Sequence, residues 1–263
     1  CIDEILHSYF LQIMKLKPWI NLKINECNEP LIPIPESIFR LTPHPYMSLG
    51  APYLGSDPWV LRQSVLKRLI QAQQYLFEIS PQLQLALFDA WRPISVQEFM
   101  FNYTTQEICS SRGINIHDLS LDVDINDVIE EVGRFWAMPT SDPLTPPPHS
   151  TGAAIDLTLA DMTGKPLDLG GEIDFIGAES TPDFYKYKYS SMPSIKHQIF
   201  HDRRSLLLSV MEKAGFAQHP NEWWHFSYGD QLWSWVSKKN NAIYGASTEV
   251  SKDITLSEPS LVT

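Results

Sequence analysis

An aspartate in the middle of an apolar, strand-like run is the feature that most constrains this chain. From Ala153 to Leu159 the sequence reads Ala-Ala-Ile-Asp-Leu-Thr-Leu. Alternation at period two puts Ile155, Leu157 and Leu159 on one face and Ala154, Asp156 and Thr158 on the other. The first face calls for a hydrophobic core. The second carries a carboxylate that incurs a large burial cost unless it is paired or bound to a metal. Such a strand fits a sheet that packs on a core at one side and carries a polar site, or meets solvent, at the other.

The flanking segments supply that sheet with layers. Asp57 followed by Pro58 reads as a helix start, with Leu61, Val65, Leu69, Ala72 and Leu76 as one apolar stripe. Leu83, Leu85 and Leu87 alternate with Gln84 and Ala86, which predicts a strand running into Phe88-Asp89-Ala90-Trp91-Arg92 and stopped by Pro93. Ser95 with Glu98 forms a capping-box pattern, and Gly113 is a plausible terminator of the helix it would open. Further helices fit about 126–137 and Ser194 to Ala214, the latter closed by Gly215, and Glu222 to Tyr228 reads as a strand. The stretch from Gly164 to Pro193 is longer than compact domains normally leave irregular, which marks it as functional. Helices and strands in mixed order, without regular βαβ alternation, predict an α+β fold: a single domain over 41–245 with a mixed or antiparallel sheet flanked by helices. An N-terminal extension, 1–40, holds the proline-rich run Pro30, Pro33 and Pro35. The Ser/Thr-rich stretch 246–263 is expected to be a disordered tail.

Composition removes several classes of function. Asp and Glu number 31 against 20 Lys and Arg, a net charge of −11, and no basic cluster exceeds Arg203-Arg204 or Lys238-Lys239. That argues against nucleic acid, where phosphate neutralisation carries the affinity. No uninterrupted apolar stretch approaches the roughly 18 residues of a membrane span. Cys1, Cys27 and Cys109 are odd in number and lack CxxC spacing, so no disulfide framework is expected. The N-terminus lacks the layout of a signal peptide, so the cytoplasm is the expected compartment. A periplasmic or lipid-anchored protein, with Cys1 as a lipidated residue, is the alternative.

GxSxG, Walker-type GxxxxGK[ST], GxGxxG and HExxH are all missing. Two islands remain. In the first, His149 precedes Ser150-Thr151-Gly152 and the Asp156 strand, and Gly152 lets the backbone turn so that His149 can swing toward Asp156. A loop histidine and a solvated edge-strand aspartate would have the same spacing. The second is Glu222-Trp223-Trp224-His225. In a regular strand Glu222 and His225 point to opposite faces, so a bulge, or a start to the strand after Glu222, is needed for both to reach one site. A Trp-rich core strand with a satisfied histidine is the competing reading. Together, two His and one Asp are the usual ligand count of a catalytic zinc site with one open position, and a spare Glu is the usual base. His197 and His201 lie four apart on the Ser194–Ala214 helix but have no third ligand nearby. Cys109 lacks a paired His and reads as a structural thiol.

These motifs resemble the D-alanyl-D-alanine dipeptidases, the enzymes made in vancomycin-resistant bacteria and their housekeeping relatives. His149 to Asp156 is similar to that family's first zinc motif and Glu222-Trp223-Trp224-His225 to its second, the doubled Trp being less typical of the related D,D-carboxypeptidases. Asp89-Ala90-Trp91-Arg92-Pro93 is similar to its D-G-Y-R-P segment, and Asp174 sits where the family has an acidic residue facing the substrate's amino terminus. The resemblance covers roughly residues 40 to 245. It implies one Zn²⁺ per chain held by His149, Asp156 and His225, with Glu222 as general base. Arg92 would stabilise the transition state, and Asp174 would pair with the ammonium of a small dipeptide substrate. Pro147 stands where the family has a pocket serine. The implied activity is hydrolysis of D-Ala-D-Ala or a similar D,D-dipeptide. The alternatives are a D,D-carboxypeptidase acting on peptidoglycan stems and a zinc-stabilised binding module without turnover.

Overall fold

The computed structural model describes residues 17–115 and 122–251. In chain order the regular elements are β1 (Lys23–Ile24), β2 (Leu31–Pro33), α1 (Pro45–Ser48), β3 (Val60–Arg62), α2 (Gln63–Ile79), β4 (Leu83–Asp89), α3 (Ile94–Ser111) and α4 (Asp122–Phe135). After them come β5 (Ala154–Asp161), α5 (Phe184–Ser191), α6 (Ile195–Lys213), β6 (Ala217–Gln218), β7 (His225–Ser227), α7 (Gln231–Val236) and β8 (Asn241–Ala242). The principal sheet is antiparallel and four-stranded, in the order β4-β5-β7-β6, with helices packed against it. The fold is α+β, as the order of the segments implied.

The two faces of the sheet bury different things. Leu85 and Leu87 of β4 and Ile155, Leu157 and Leu159 of β5 join the stripe Val65, Leu69, Ala72 and Leu76 of α2 and Leu207 and Val210 of α6 in one core. Phe88 turns the other way. It packs against a second cluster made by Tyr46, Val96 and Met100 of α3, Val128 and Val132 of α4, and Trp136. The six α2 and α6 side chains named are wholly inaccessible, and burial of each of the five larger than Ala72 contributes roughly 1.5–3 kcal/mol.

Several boundaries differ from expectation. Val60–Arg62 is a strand, because it pairs antiparallel with Leu31–Pro33. Asp57 instead closes a turn by accepting from Trp59 N at 2.9 Å, and the helix begins at Gln63. Ser95 makes no capping bond; its hydroxyl donates to Pro52 O at 3.2 Å, and α3 starts directly after Pro93. The stretch expected to be irregular contains α5 and a 3-10 turn, Ala178–Ser180. Ser194 caps α6 by accepting from His197 N, and Gly215, at φ +94, follows its end.

Part of the proline-rich arm is woven into the domain: Leu31 and Ile32 are wholly buried, and β1 pairs in parallel with β8. At the other end, Ser247 N donates to Ser150 O at 3.0 Å, and Leu31 and Val250 form a parallel bridge. The rest of the expected tail, 252–263, lies outside the described residues. Among the described residues no helix is long and apolar enough to cross a membrane.

Candidate active site

The register of the sheet assembles the site. Asp156 lies directly across from His225 of β7. On its other side, a bulge shifts the β4 register between Leu87 and Asp89, so Asp89 rather than Phe88 stands opposite Asp156. Asp89, Asp156 and His225 therefore form a row across the strands, and all are buried.

His149 enters this row from a 3-10 turn, Pro148–Thr151, that leads into β5. Gly152 ends the turn at φ +71, and a Cβ there would run into the Leu31 side chain. Glycine is thus required both by the left-handed backbone and by the close approach of β2. Arg62 pins the same turn, its backbone N donating to Gly152 O at 3.0 Å and its Nε to Thr151 O at 2.8 Å. His149 Nδ1 donates to Ala90 O at 2.6 Å, which leaves Nε2 as the lone-pair nitrogen facing Asp156. His225 turns Nε2 toward Ser227 Oγ at 3.2 Å. Its Nδ1 faces the site.

The resulting spacing suits a cation. His149 Nε2 lies 3.2 Å from Asp156 Oδ2 and 3.2 Å from His225 Nδ1, while His225 Nδ1 lies 3.1 Å from Asp156 Oδ1. A tetrahedral zinc site with bonds of about 2.0–2.1 Å has ligand–ligand edges of about 3.3 Å. Asp156 Oδ1 is buried and accepts no hydrogen bond, so a lone pair is left unmatched beside His225 Nδ1. Burial opposes the charge on Asp156, yet the neighbouring imidazoles hold its carboxyl well below the usual carboxylate range. Among the described residues, His149, Asp156 and His225 are the group whose ligand atoms, all within 4.8 Å of one another, could hold a metal ion.

Glu222 reaches the same point because it precedes β7. The chain turns tightly at His219–Glu222, with Glu222 N donating to His219 O at 3.3 Å, and delivers Glu222 Oε2 to 3.6 Å from His225 Nδ1. Its carboxyl is pushed up to about 8, first by burial and then by the charge of Asp156. Of the two tryptophans, Trp224 lines the cleft. Trp223 does not: it points to the core and lies under the Arg204 guanidinium at 5.0 Å.

Arg92 is buried rather than forming a surface ion pair. Its Nε donates to Asp89 Oδ2 at 2.6 Å, Nη2 to Asp156 Oδ2 at 2.8 Å and Nη1 to Gln97 Oε1 at 3.1 Å. Its guanidinium lies 4.9 Å from the Tyr46 ring centroid and 5.1 Å from that of Trp136. Asp174, in the left-handed region at φ +66, accepts from Tyr46 OH at 2.8 Å. Its carboxyl is raised to about 7 by desolvation and by Asp156. Arg92, His149, Asp156, Asp174, Glu222 and His225 all line one cleft, and Pro147 lines it too.

Four further residues lie at this site without being singled out by a motif. His44 supports Asp89 through a 3.1 Å contact, Tyr46 holds Asp174, Lys17 lines the cleft, and His219 stands 3.7 Å from Glu222. Only His219 had a local signal, the i, i+3 spacing His219, Glu222, His225. Among the described residues His197 and His201 do not join a metal group; His197 Nδ1 instead bonds Met192 O at 3.1 Å.

Comparison with known proteins shows the family. The Peptidase M15 family, described as D-ala-D-ala dipeptidase, matches over residues 40–243. A D-alanyl-D-alanine dipeptidase of Synechocystis sp. is 48% identical over 223 residues, covering 84% of this chain and 90% of that protein. Shorter matches link the chain to D-alanyl-D-alanine dipeptidases of Escherichia coli, 38% identical over 78 residues (30% of this chain, 36% of that protein), and of Enterococcus faecium, 34% identical over 84 residues (32% and 37%). With a family match across most of its length and a relative aligned nearly end to end, the chain belongs to the Peptidase M15 family of D-Ala-D-Ala dipeptidases.

Proposed function

We propose that this protein is a zinc-dependent dipeptidase that hydrolyses D-Ala-D-Ala or a similar small D,D-dipeptide. The observation that carries this reading is the convergence of His149 Nε2, Asp156 and His225 Nδ1 beside Glu222, with a buried lone pair on Asp156 Oδ1 left unmatched. His149, Asp156 and His225 would hold one Zn²⁺. When bound, such an ion lowers the pKa of a water toward about 7 and polarises a carbonyl.

The chain's own groups do the rest. Glu222 Oε2 takes a proton from the attacking water and returns it to the departing amine nitrogen. A carboxylate raised by burial and lowered again by nearby positive charge comes into the range where a general base is effective near neutral pH. Arg92 keeps N–H donors beyond the three bonds it makes to Asp89, Gln97 and Asp156, and its planar fork is held rigidly between Tyr46 and Trp136. A preorganised cation there favours charge that develops on the scissile carbonyl oxygen. Asp174, oriented by Tyr46 OH, binds the ammonium of a free dipeptide, and binding that ammonium would in turn favour its ionised form.

The test is amine release by purified, zinc-loaded protein from D-Ala-D-Ala and from a stem pentapeptide. Cleavage of the dipeptide alone is expected. Preferential cleavage of the pentapeptide would make the protein a D,D-carboxypeptidase, and zinc binding without turnover of either would make it a binding module.

A further inference from the structure

Lys17 is a buried charged group of the cleft that the reaction above does not use. It precedes a 3-10 turn, Pro18–Asn21, and lies outside the stretch 40–243 that matches the family. The arm that carries it is firmly seated. Trp19 packs edge-on against His219 at 5.4 Å and also against Trp235 at 5.5 Å, and Gln231 Nε2 donates to Ile20 O at 3.0 Å and Leu22 O at 2.6 Å. Lys17 is only 6% exposed, yet it lines the same cleft as Arg92, Asp174 and Glu222.

Among the described residues its ammonium makes one hydrogen bond, a donation to the Trp136 carbonyl at 2.9 Å, and no ion pair with a carboxylate. An ammonium has three donors, so two remain for another acceptor. A buried cation without a paired anion is costly, and its burial lowers the Lys17 pKa to about 8 even though Glu222 pulls the other way. A second anion entering the cleft would relieve that cost.

A free dipeptide carries one charge at each end. Asp174 answers the ammonium. For the carboxylate the cleft offers two cations, and Arg92 is already engaged by two carboxylates, Asp89 and Asp156. We infer that Lys17 binds the substrate's terminal carboxylate, so that the N-terminal arm supplies a specificity determinant for substrates ending in a free acid. The inference rests on the dipeptidase reading and deepens it: charge recognition at both ends would restrict the site to short zwitterions.

The test is binding of D-Ala-D-Ala and of its C-terminal amide to the full-length, zinc-loaded chain, measured calorimetrically in a Glu222→Gln background so that neither ligand is consumed. With Lys17 present, the acid should bind about 10- to 100-fold more tightly than the amide, the range of a hydrogen bond to a charged group. Lys17→Met should abolish that preference and leave amide binding unchanged, while Lys17→Arg should restore much of it. Equal melting temperature and zinc content would show that each variant is folded. Three results would overturn the inference: no acid preference with Lys17 present, binding of neither ligand, or equal weakening of both by Lys17→Met. Turnover of D-Ala-D-Ala by the unmodified protein is measured separately. Failure there, with a Lys17-dependent acid preference intact, would remove the dipeptidase reading and leave the carboxylate contact standing.

Discussion

The two faces of β5 show how differently one strand can be specified. Ile155, Leu157 and Leu159 face a core of aliphatic side chains from α2 and α6. One residue away, Asp156 meets Arg92, His149 and His225 at 2.8 to 3.2 Å. Burial on the first face is non-directional and scales with area, so any well-packed set of aliphatic groups of similar volume serves. On the second face each group is satisfied by a particular partner at a particular atom, and removing one leaves a buried charge without compensation. The first face should therefore govern stability and the second chemistry.

Glu222→Gln should break the chemical face most sharply. The substitution keeps shape and hydrogen-bonding capacity but cannot accept the water's proton, so turnover should fall by about 10² to 10⁴ fold while zinc content, read by metal analysis, stays unchanged. Activity near that of the unaltered protein would assign the base elsewhere.

Leu157→Ala probes the opposite face of the same strand. Leu157 is wholly buried, and truncation should cost about 2–5 kcal/mol of unfolding free energy in denaturant titrations. The folded fraction should retain its kcat and its zinc. A large drop in kcat per folded molecule would show that the two faces are coupled.

Asp174→Asn sharpens the comparison within the cleft. It should weaken the free dipeptide by about 1.5 to 3 kcal/mol, as for a hydrogen bond to a charged group, and leave an N-acylated dipeptide little changed, since the acylated substrate has no ammonium to lose. Equal effects on the two substrates would make Asp174 a structural residue held by Tyr46.

A smaller effect should appear in the pH dependence of stability after zinc is removed by chelation. Glu222 is raised from 4.5 to about 8 by burial and Asp156, and Asp174 from 3.8 to about 7 by burial and Asp156. Between the ordinary and the raised values the folded chain holds a proton that the unfolded chain has released, so these two groups make stability fall as pH rises through that window; His219, held well below its ordinary value by burial, acts in the opposite sense at the acidic end, and above about pH 8 Lys17, lowered to about 8 by burial, turns the slope upward. Asp156, held well below its ordinary value, acts in the opposite sense, and its contribution is lost only as the solution becomes strongly acidic. Glu222→Gln should flatten the decline between about pH 5 and 8 in chelated protein. An unchanged slope would mean that Glu222 does not carry it.

Much of this contrast is legible in the sequence because it is local. His149 and Asp156 lie on one short turn and strand, Glu222 and His225 on another, and period-two alternation is a direct consequence of strand geometry. The alternative of a solvated aspartate on an edge strand disappears only when β4 and β7 flank β5 and the row Asp89, Asp156, His225 is closed. Val60–Arg62 shows the limit of local reading: Leu61 fits a helical stripe with Val65 and Leu69 as well as it fits a strand, and its pairing with Ile32 decides the matter. Ser95 and Glu98 carry a sound capping pattern, but the Pro52 carbonyl takes the hydroxyl.

By itself, then, the sequence determined the α+β class, the alternation of β5, the extent of α6 and the His, Asp, Glu and His residues that converge on one site. Each of these depends on residue type and spacing within a few residues, whereas the β5–β7 register joins the His149 and Asp156 segment to the Glu222 and His225 segment. Only the tertiary structure decided that a bulge in β4 brings Asp89 beside Asp156, that Trp224 rather than Trp223 lines the cleft, and that Tyr46 holds Asp174. It alone brought Lys17, from an arm that reads as a mere extension, in among the charged groups of the site. The reason is electrostatic: a buried charge is tolerated only where partners surround it, and here those partners come from distant segments, at a separation of 64 for Arg92 and Asp156 and 119 for Lys17 and Trp136, distances over which no periodic pattern carries information.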